Sequence, residues 1–254
     1  MHARTQPRLH GRTALVTGST DGIGAAIAAT LAAEGAHVIV TGRDAARGEK
    51  VAAGITESGG TATFIAADLA SASGVRDLAD AARSIADGAP GILVNNAAML
   101  IAPAPTAHVG ADLIDAALTV NVKAAILLTG LIAPRMAARG RGAIVNLGSI
   151  NGLIGMAESA LYSATKAAIH SLTKSWAAEY GRSGVRVNTV APGPTLTDRT
   201  ATFADRIAPI VNRAPTGRAS APEEVGRAVA FLASDEASGV NGATLSVDGG
   251  LAAV

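Results

Sequence analysis

The sequence predicts a single α/β domain built on a doubly wound parallel sheet of about seven strands, with helices on both faces. Three observations lead there. Short β-rich runs alternate strictly with longer Ala-rich runs along the whole chain, the order expected of parallel strands joined by helices. Several β-rich runs, such as Ala14-Leu15-Val16, are continuously apolar, as strands covered on both faces should be. The 254 residues hold no repeat, linker or low-complexity break, and one α/β domain can reach that length.

Taken in order, the predicted strands are 13–17, 37–41, 61–66, 92–95, 143–147, 186–190 and 244–247. The 3.6-residue spacing of apolar positions predicts helices over 23–34, 45–58, 72–87, 111–138, 161–181 and 223–233. Residues 1–10 are expected to be a flexible extension, and 11–254 the single domain. The Pro-containing stretch 194–218 follows the sixth strand. Ligands of such sheets bind beyond the carboxyl ends of the strands, so this stretch is read as a loop or small lid over a site.

Composition excludes several functions. Apolar residues make up 49% of the chain and charged residues 16%, with a net charge of +1. There is no basic stripe with interleaved aromatics, which argues against a nucleic-acid partner. The absence of cysteine rules out disulfides, thiolate nucleophiles and thiolate-bound zinc. His2, His10, His37, His108 and His170 show no metal-ligand spacing, so no protein metal site is expected. The N-terminus has no apolar run of the signal-peptide kind. No stretch is expected to cross a bilayer, since Asn121, Lys123 and Arg135 interrupt the most apolar one, 118–136. A cytoplasmic protein is the expectation.

The first strand runs into Thr17-Gly18-Ser19-Thr20-Asp21-Gly22-Ile23-Gly24, and a helix follows. Glycines let a backbone turn sharply and approach a pyrophosphate, while a helix N-terminus offers free N–H groups and the positive end of its dipole. This strand–turn–helix therefore reads as a dinucleotide cradle of the Rossmann type, against the plain alternative of a glycine-rich turn. At the end of the second strand, Gly42 stands where an acidic residue would bind a ribose 2′-hydroxyl. Arg43 follows and suits a 2′-phosphate. Asp44 can cap the next helix or bind the ribose instead. NADP(H) is thus favoured weakly over NAD(H).

Reduction of a carbonyl needs a proton donor at its oxygen, and the reverse reaction needs a base. Tyr162 and Lys166 lie four residues apart in a helical run and share a face. A phenol titrates near pH 10, and a nearby cation lowers that value. Ser149, just past the fifth strand, offers a hydroxyl to the same substrate oxygen. Tyr180 reads as a packing or subunit contact, and His170 as a structural histidine on a helix face.

These motifs resemble the short-chain dehydrogenase/reductase family from about Gly11 to Gly250, including members that reduce 3-oxoacyl thioesters. The family's T-G-x-x-x-G-I-G turn is matched by 17–24. The resemblance implies an Asn-Ser-Tyr-Lys tetrad at Asn121, Ser149, Tyr162 and Lys166, with Asn121 holding a water in a proton relay. It implies that Asp68 and Leu69 meet the adenine. Asn95, Asn96 and Ala97 would turn beside the cofactor, with Ala98 where glycine is usual. Pro192, Gly193, Thr195 and Thr197 would hold the nicotinamide end. The turn 247–250 resembles the family's C-terminal signature and is read as structural.

The implied activity is NAD(P)(H)-dependent hydride transfer between nicotinamide and a ketone or secondary alcohol. Asn151 and Leu153 are expected to touch substrate, with Met99, Leu100, Ile154, Glu158 and lid residues 196–211 nearby, an apolar lining overall. Arg135, Arg139 and Arg141 form a candidate carrier-protein patch, but read better as a helix C-terminal feature. A homotetramer is expected, as is common among relatives. The competing readings are an isomerase or dehydratase on the same scaffold, or a non-catalytic dinucleotide sensor. A serine hydrolase is a weaker reading still, because Ser149 lacks the G-x-S-x-G elbow.

Overall fold

The structure, a computed structural model, describes residues 7–202 and 204–254. Seven strands form one sheet: β1 (Thr13–Val16), β2 (His37–Gly42), β3 (Thr61–Ala66), β4 (Ile92–Asn95), β5 (Gly142–Leu147), β6 (Val185–Pro192) and β7 (Thr244–Val247). Their order is β3-β2-β1-β4-β5-β6-β7, with every pairing parallel. The predicted fold class is therefore observed. The chain winds outward from β1 to β3, then returns past β1 to β4. The crevice at this reversal, beyond the carboxyl ends of β1 and β4, is where such sheets take ligands.

Strand side chains alternate between faces, and the two halves of the core follow from that. Val16, Val40, Val94 and Val145 pack on one face with Ile27 and Leu31 of α1 (Gly22–Ala33) and Val225 and Val229 of α9 (Pro222–Ala233). Ile55 of α2 (Ala45–Glu57) joins them. Leu15, Ile39, Leu93 and Ile144 point the other way. They meet Leu78 of α3 (Ala72–Ile85), Leu128 and Ile132 of α5 (Ala124–Ala138), and Ile169 and Trp176 of α6 (Ala160–Tyr180).

Three expectations are corrected. The helix predicted over 111–138 is not continuous. It is α4 (Ala111–Leu118), a π-helical turn (Thr119–Lys123) and α5. Asn121 sits in that turn with its side chain bonded across to the backbone of Met99, and π turns recur where a helix carries a functional side chain. The same stretch, Ala111–Ala138, does pass a membrane-span test by length and hydropathy, contrary to the sequence reading; 44% of its most apolar window is buried inside the protein. Its apolarity serves packing against the sheet, α3 and α6.

The extension also ends earlier than expected. Residues 1–6 lie outside the described residues. Leu9, however, is fully buried in the core beside α1, its N–H bonds the Glu34 carbonyl, and Arg8 pairs with Glu34. The lid stretch is partly helical: α7 (Asp198–Ala201) and α8 (Ala204–Val211) lie between β6 and α9.

Candidate active site

The loops after β1, β2, β3, β4 and β6 build the cofactor side of the crevice. Gly18 and Gly22 have positive φ, 62° and 49°, which a side chain would strain. A Cβ on Gly24 would fall on the Gly18 carbonyl oxygen, so that glycine lets α1 pack against its own turn. Ile23 packs onto the core. The N-cap residue Asp21 makes no side-chain cap bond, leaving the first-turn amides of α1 for an anion. Its carboxylate instead takes hydrogen bonds from Arg47 (3.2 Å) and Arg199 (2.9 Å). These residues fit a dinucleotide: a strained glycine turn and uncapped amides at the switch point are the donor set a pyrophosphate needs.

Several of the residues expected at the cofactor also brace the fold around the turn. Ser19 is fully buried. Its hydroxyl donates to the Val16 carbonyl (2.7 Å) and accepts from the Thr41 N–H (3.0 Å), tying β1 to β2. The Asn95 amide donates to Thr129 (3.1 Å) and Asn146 (2.8 Å), and Asn146 goes on to Thr173. Asn95 thus joins a buried polar chain across the sheet. Its neighbour Asn96 holds the glycine turn, donating to the carbonyls of Thr17 (2.8 Å) and Gly18 (2.9 Å). The Ala97 N–H bonds the Thr17 hydroxyl. Ala98 has no positive φ, so alanine replaces glycine there without strain.

At the adenosine end, Asp44 caps α2, accepting from the Arg47 N–H (3.0 Å) and guanidinium (2.7 Å). These bonds hold its carboxyl below the ordinary range. Arg43 is exposed beside it. Asp68 accepts from the Ala70 N–H (3.0 Å), and Leu69 lines a small cavity described below. At the nicotinamide end, Pro192 closes β6 and Gly193 packs against Asp248, where a Cβ would come within 2.8 Å of its Cα. The Thr195 hydroxyl bonds the Gly193 carbonyl (3.1 Å), and Thr197 caps α7 through the Thr200 N–H (3.1 Å). Both threonines brace the lid's entry.

The chemical side lies on α6 and the end of β5. Tyr162 and Lys166 share a face, with the Lys166 Nζ 5.7 Å from the Tyr162 ring centre. That ammonium donates to the Leu147 carbonyl at 2.8 Å and is almost fully buried. Burial lowers it to about 8. Burial also pushes the Tyr162 phenol above its ordinary value, while a hydrogen bond with the Ser149 hydroxyl pulls it down. The expected lowering of the phenol by Lys166 is therefore not what the chain alone produces. Loss of water is the largest cause acting on each group.

Asn121 is buried, accepting from the Met99 N–H (2.6 Å) and donating to the Met99 carbonyl and the Thr165 hydroxyl (both 3.3 Å). A cavity of about 10 Å³ lies between Asn121, Lys166, Thr17, Ala97 and Leu69, at the lower limit for one ordered water. A larger cleft, about 410 Å³, lies away from this chemistry between α1, α2 and the start of α9, and small residues such as Ala25, Ala29 and Gly54 line most of it.

On the substrate side the Asn151 amide donates to the Ser159 hydroxyl (3.0 Å), bracing the loop before α6. Leu100, Leu153 and Leu196 are about half exposed, on the loops after β4, β5 and β6. Ile154 packs with Ile150 and Leu251. Glu158 has φ 60°, a left-handed conformation unusual for a side-chain residue. Arg139 donates to the carbonyls of Ala89 and Pro90, and Arg141 pairs with Asp235, which supports the structural reading of that cluster. Among the described residues no group of His, Asp and Glu is arranged to hold a metal.

Sequence reasoning missed Arg47 and Arg199. Arg47 stands three residues after a capping aspartate, a readable spacing. Arg199 carried no signal of its contact with Asp21.

A glycine turn at a switch point, facing a tyrosine and a buried lysine, defines a dinucleotide-dependent oxidoreductase. A family model described as "Enoyl-(Acyl carrier protein) reductase" matches residues 18–252. Cis-4-hydroxycyclohexanecarboxylate dehydrogenase of Sinomonas cyclohexanicum is 42% identical over 246 residues, covering 96% of this chain and 97% of its own. A solved short-chain dehydrogenase/reductase family protein is 46% identical, with TM-score 0.89 over 97% of this chain and 100% of that one. A 3-oxoacyl (acyl-carrier-protein) reductase from Agrobacterium tumefaciens C58, solved with NADP bound, is 39% identical with TM-score 0.91, covering 98% and 97%. The chain belongs to the short-chain dehydrogenase/reductase family and is an NAD(P)-dependent oxidoreductase of the ketone and secondary-alcohol class.

Proposed function

We propose that Tyr162 exchanges the proton with the substrate oxygen, NADP(H) being the preferred cofactor and the substrate a secondary alcohol or ketone with an apolar body. The observation that carries this is the shared face of Tyr162 and Lys166, with the Lys166 ammonium 2.8 Å from the Leu147 carbonyl at the end of β5. When bound, the nicotinamide supplies the hydride acceptor or donor.

The residues divide the remaining work. Ser149 holds the substrate oxygen beside the phenol. In oxidation Tyr162 takes the alcohol proton as tyrosinate, and in reduction it donates the proton to the forming alkoxide. Lys166 supplies positive charge that favours the tyrosinate. Asn121 holds the backbone of Met99, and the one-water space between Asn121 and Lys166 supports a relay to that lysine. The amides of Gly22 and Ile23 face the pyrophosphate, and Arg43 meets the 2′-phosphate, since Asp44 is engaged as a cap. The backbones around Asp68 and Leu69 border the adenine, and the segment Pro192, Gly193, Thr195 and Thr197 the nicotinamide.

The half-exposed Leu100, Leu153 and Leu196 support the apolar substrate body, and the cyclic hydroxy acid in the name of the Sinomonas relative is of that kind. Exposed Leu113, Ile114, Leu118 and Ile126 on α4 and α5, with Leu245 on edge strand β7, support association with further copies, a homotetramer first; such faces mark contact surfaces. A cytoplasmic location accords with this chemistry. The test is a panel of cyclic, open-chain and polyhydroxylated alcohols and ketones with each cofactor, followed by nicotinamide absorbance. Cyclic or alkyl substrates with NADP(H) should lead. Turnover restricted to polyols, or to NAD(H), overturns the corresponding part.

A further inference from the structure

Tyr162 and Lys166 are two members of a longer stripe. His170 lies one further turn along α6, so the three recur every four residues on one face. Each reaches the same short segment at the end of β5. The Ser149 hydroxyl lies near enough to Tyr162 to pull the phenol down, Lys166 donates to the Leu147 carbonyl, and the Ser149 carbonyl accepts from His170 Nε2 at 3.0 Å. A carbonyl only accepts, so Nε2 carries the proton. In the neutral ring Nδ1 then accepts, and its partner is the Thr244 hydroxyl of β7 at 3.2 Å. The two bonds together fix one tautomer.

Steric contacts confine the ring as well. A Cβ on Gly148 would come within 2.6 Å of the His170 Cε1, and one on Gly152 within 2.6 Å of its Cδ2. Gly148, just before Ser149, and Gly152, three residues after it, thus leave the room that the imidazole fills. His170 itself is 6% exposed. The charged groups bearing on it, Lys166 and Lys174, are both on α6, and with burial they hold it neutral; its contacts from β7 and the Ser149 loop are a hydroxyl and a carbonyl.

We infer that His170 is a positioning residue for the reaction: wedged between Gly148 and Gly152 and anchored by Thr244, it sets the backbone of Ser149 so that the serine hydroxyl stays on Tyr162. The inference rests on the proposed roles of Tyr162 and Ser149. It assigns His170 no contact with substrate or cofactor.

The test is a mutant cycle. His170→Leu removes the donor, while His170→Gln keeps an N–H near the place of Nε2. We expect His170→Leu to lower kcat about tenfold, leave the KM for NADPH within about twofold, and move the tyrosine limb of the kcat–pH profile alkaline by about half a unit, as a loosened Ser149 bond demands. His170→Gln should recover most of the rate and the profile. Thr244→Val, a safer change should His170→Leu fail to fold, should shift the profile the same way by less.

In a Ser149→Ala background the His170 substitutions should lose their effect on kcat, since residues acting through one another are not additive. An unshifted profile in the folding variants, or full additivity with Ser149→Ala, overturns the inference. A merely structural histidine would lower Tm without moving the profile. Wild-type turnover by Ser149→Ala itself would instead overturn the proposed role of the serine, so the two failures are distinguishable.

Discussion

The Lys166 ammonium lies 5.7 Å from the centre of the Tyr162 ring and donates to the Leu147 carbonyl at 2.8 Å. One buried lysine thus joins the acid/base helix to the central strand. A buried ammonium with one protein acceptor is costly to fold around.

Removing that charge should therefore stabilise the protein while disabling it. Burial lowers Lys166 from 10.5 to about 8, so between those values the unfolded chain binds more protons than the folded one. Stability then rises with pH across that window, and the destabilising contribution is fully present at pH 7. Lys166→Met should raise Tm at pH 7 by a few degrees, from ~1–3 kcal/mol of relieved desolvation. Its turnover should fall by about a hundredfold or more, with any residual pH profile moved alkaline. The gain in Tm should shrink by pH 10. Thermal unfolding across pH checks it; a lower Tm at pH 7 contradicts the reading.

Cofactor choice turns on the end of β2. Arg43→Ala should raise the KM for NADPH about tenfold and leave that for NADH unchanged, the loss of one charge-assisted contact. Gly42→Asp alone should impair both cofactors, because a Cβ there lies 2.6 Å from the Thr20 Cγ2. Paired with Thr20→Ala it should favour NADH. Steady-state kinetics with both cofactors decide.

The lid is tied to the cofactor turn through Arg199 and Asp21. Both side chains are about half exposed, so Arg199→Ala should cost less than ~1 kcal/mol of stability. Amide hydrogen exchange in α7 and α8 should nonetheless rise, with the sheet unaffected. Equal protection in the variant would show that the pair does not hold the lid.

Glu158 has φ 60° in the loop before α6. Glycine adopts that conformation freely, and Glu158→Gly should raise stability by a few tenths to ~1 kcal/mol after the entropy of the added glycine. Denaturant unfolding measures this. A loss would mean that the glutamate side chain stabilises its loop.

Much of this site was legible in the sequence. Strands β3, β4 and β7 match their predicted bounds, and Tyr162 and Lys166 share a face of α6, as their four-residue spacing implies. What was not legible depends on partners distant in the chain. Ser19 and Asn95 are polar residues at the right places, yet Ser19 accepts from the Thr41 N–H of β2 and Asn95 donates to Thr129 of α5 and Asn146 of β5, partners that only the assembled fold supplies. The π turn at Asn121 is invisible to helical periodicity, because one extra residue in a turn leaves the apolar pattern readable as a helix. Leu9 looked like part of a loose tail until α1 and β1 gave it a core to enter. The sequence also shows charges but not how much water they lose, and burial is the largest cause acting on Tyr162.

The central claim is that Tyr162 moves the proton. Tyr162→Phe should fold with an unchanged Tm to within a few degrees and bind NADPH normally, while kcat falls by at least about a hundredfold at every pH. Single-turnover kinetics beside a fluorescence titration of NADPH measure both. Near wild-type turnover by a correctly folded, cofactor-binding Tyr162→Phe would contradict the account.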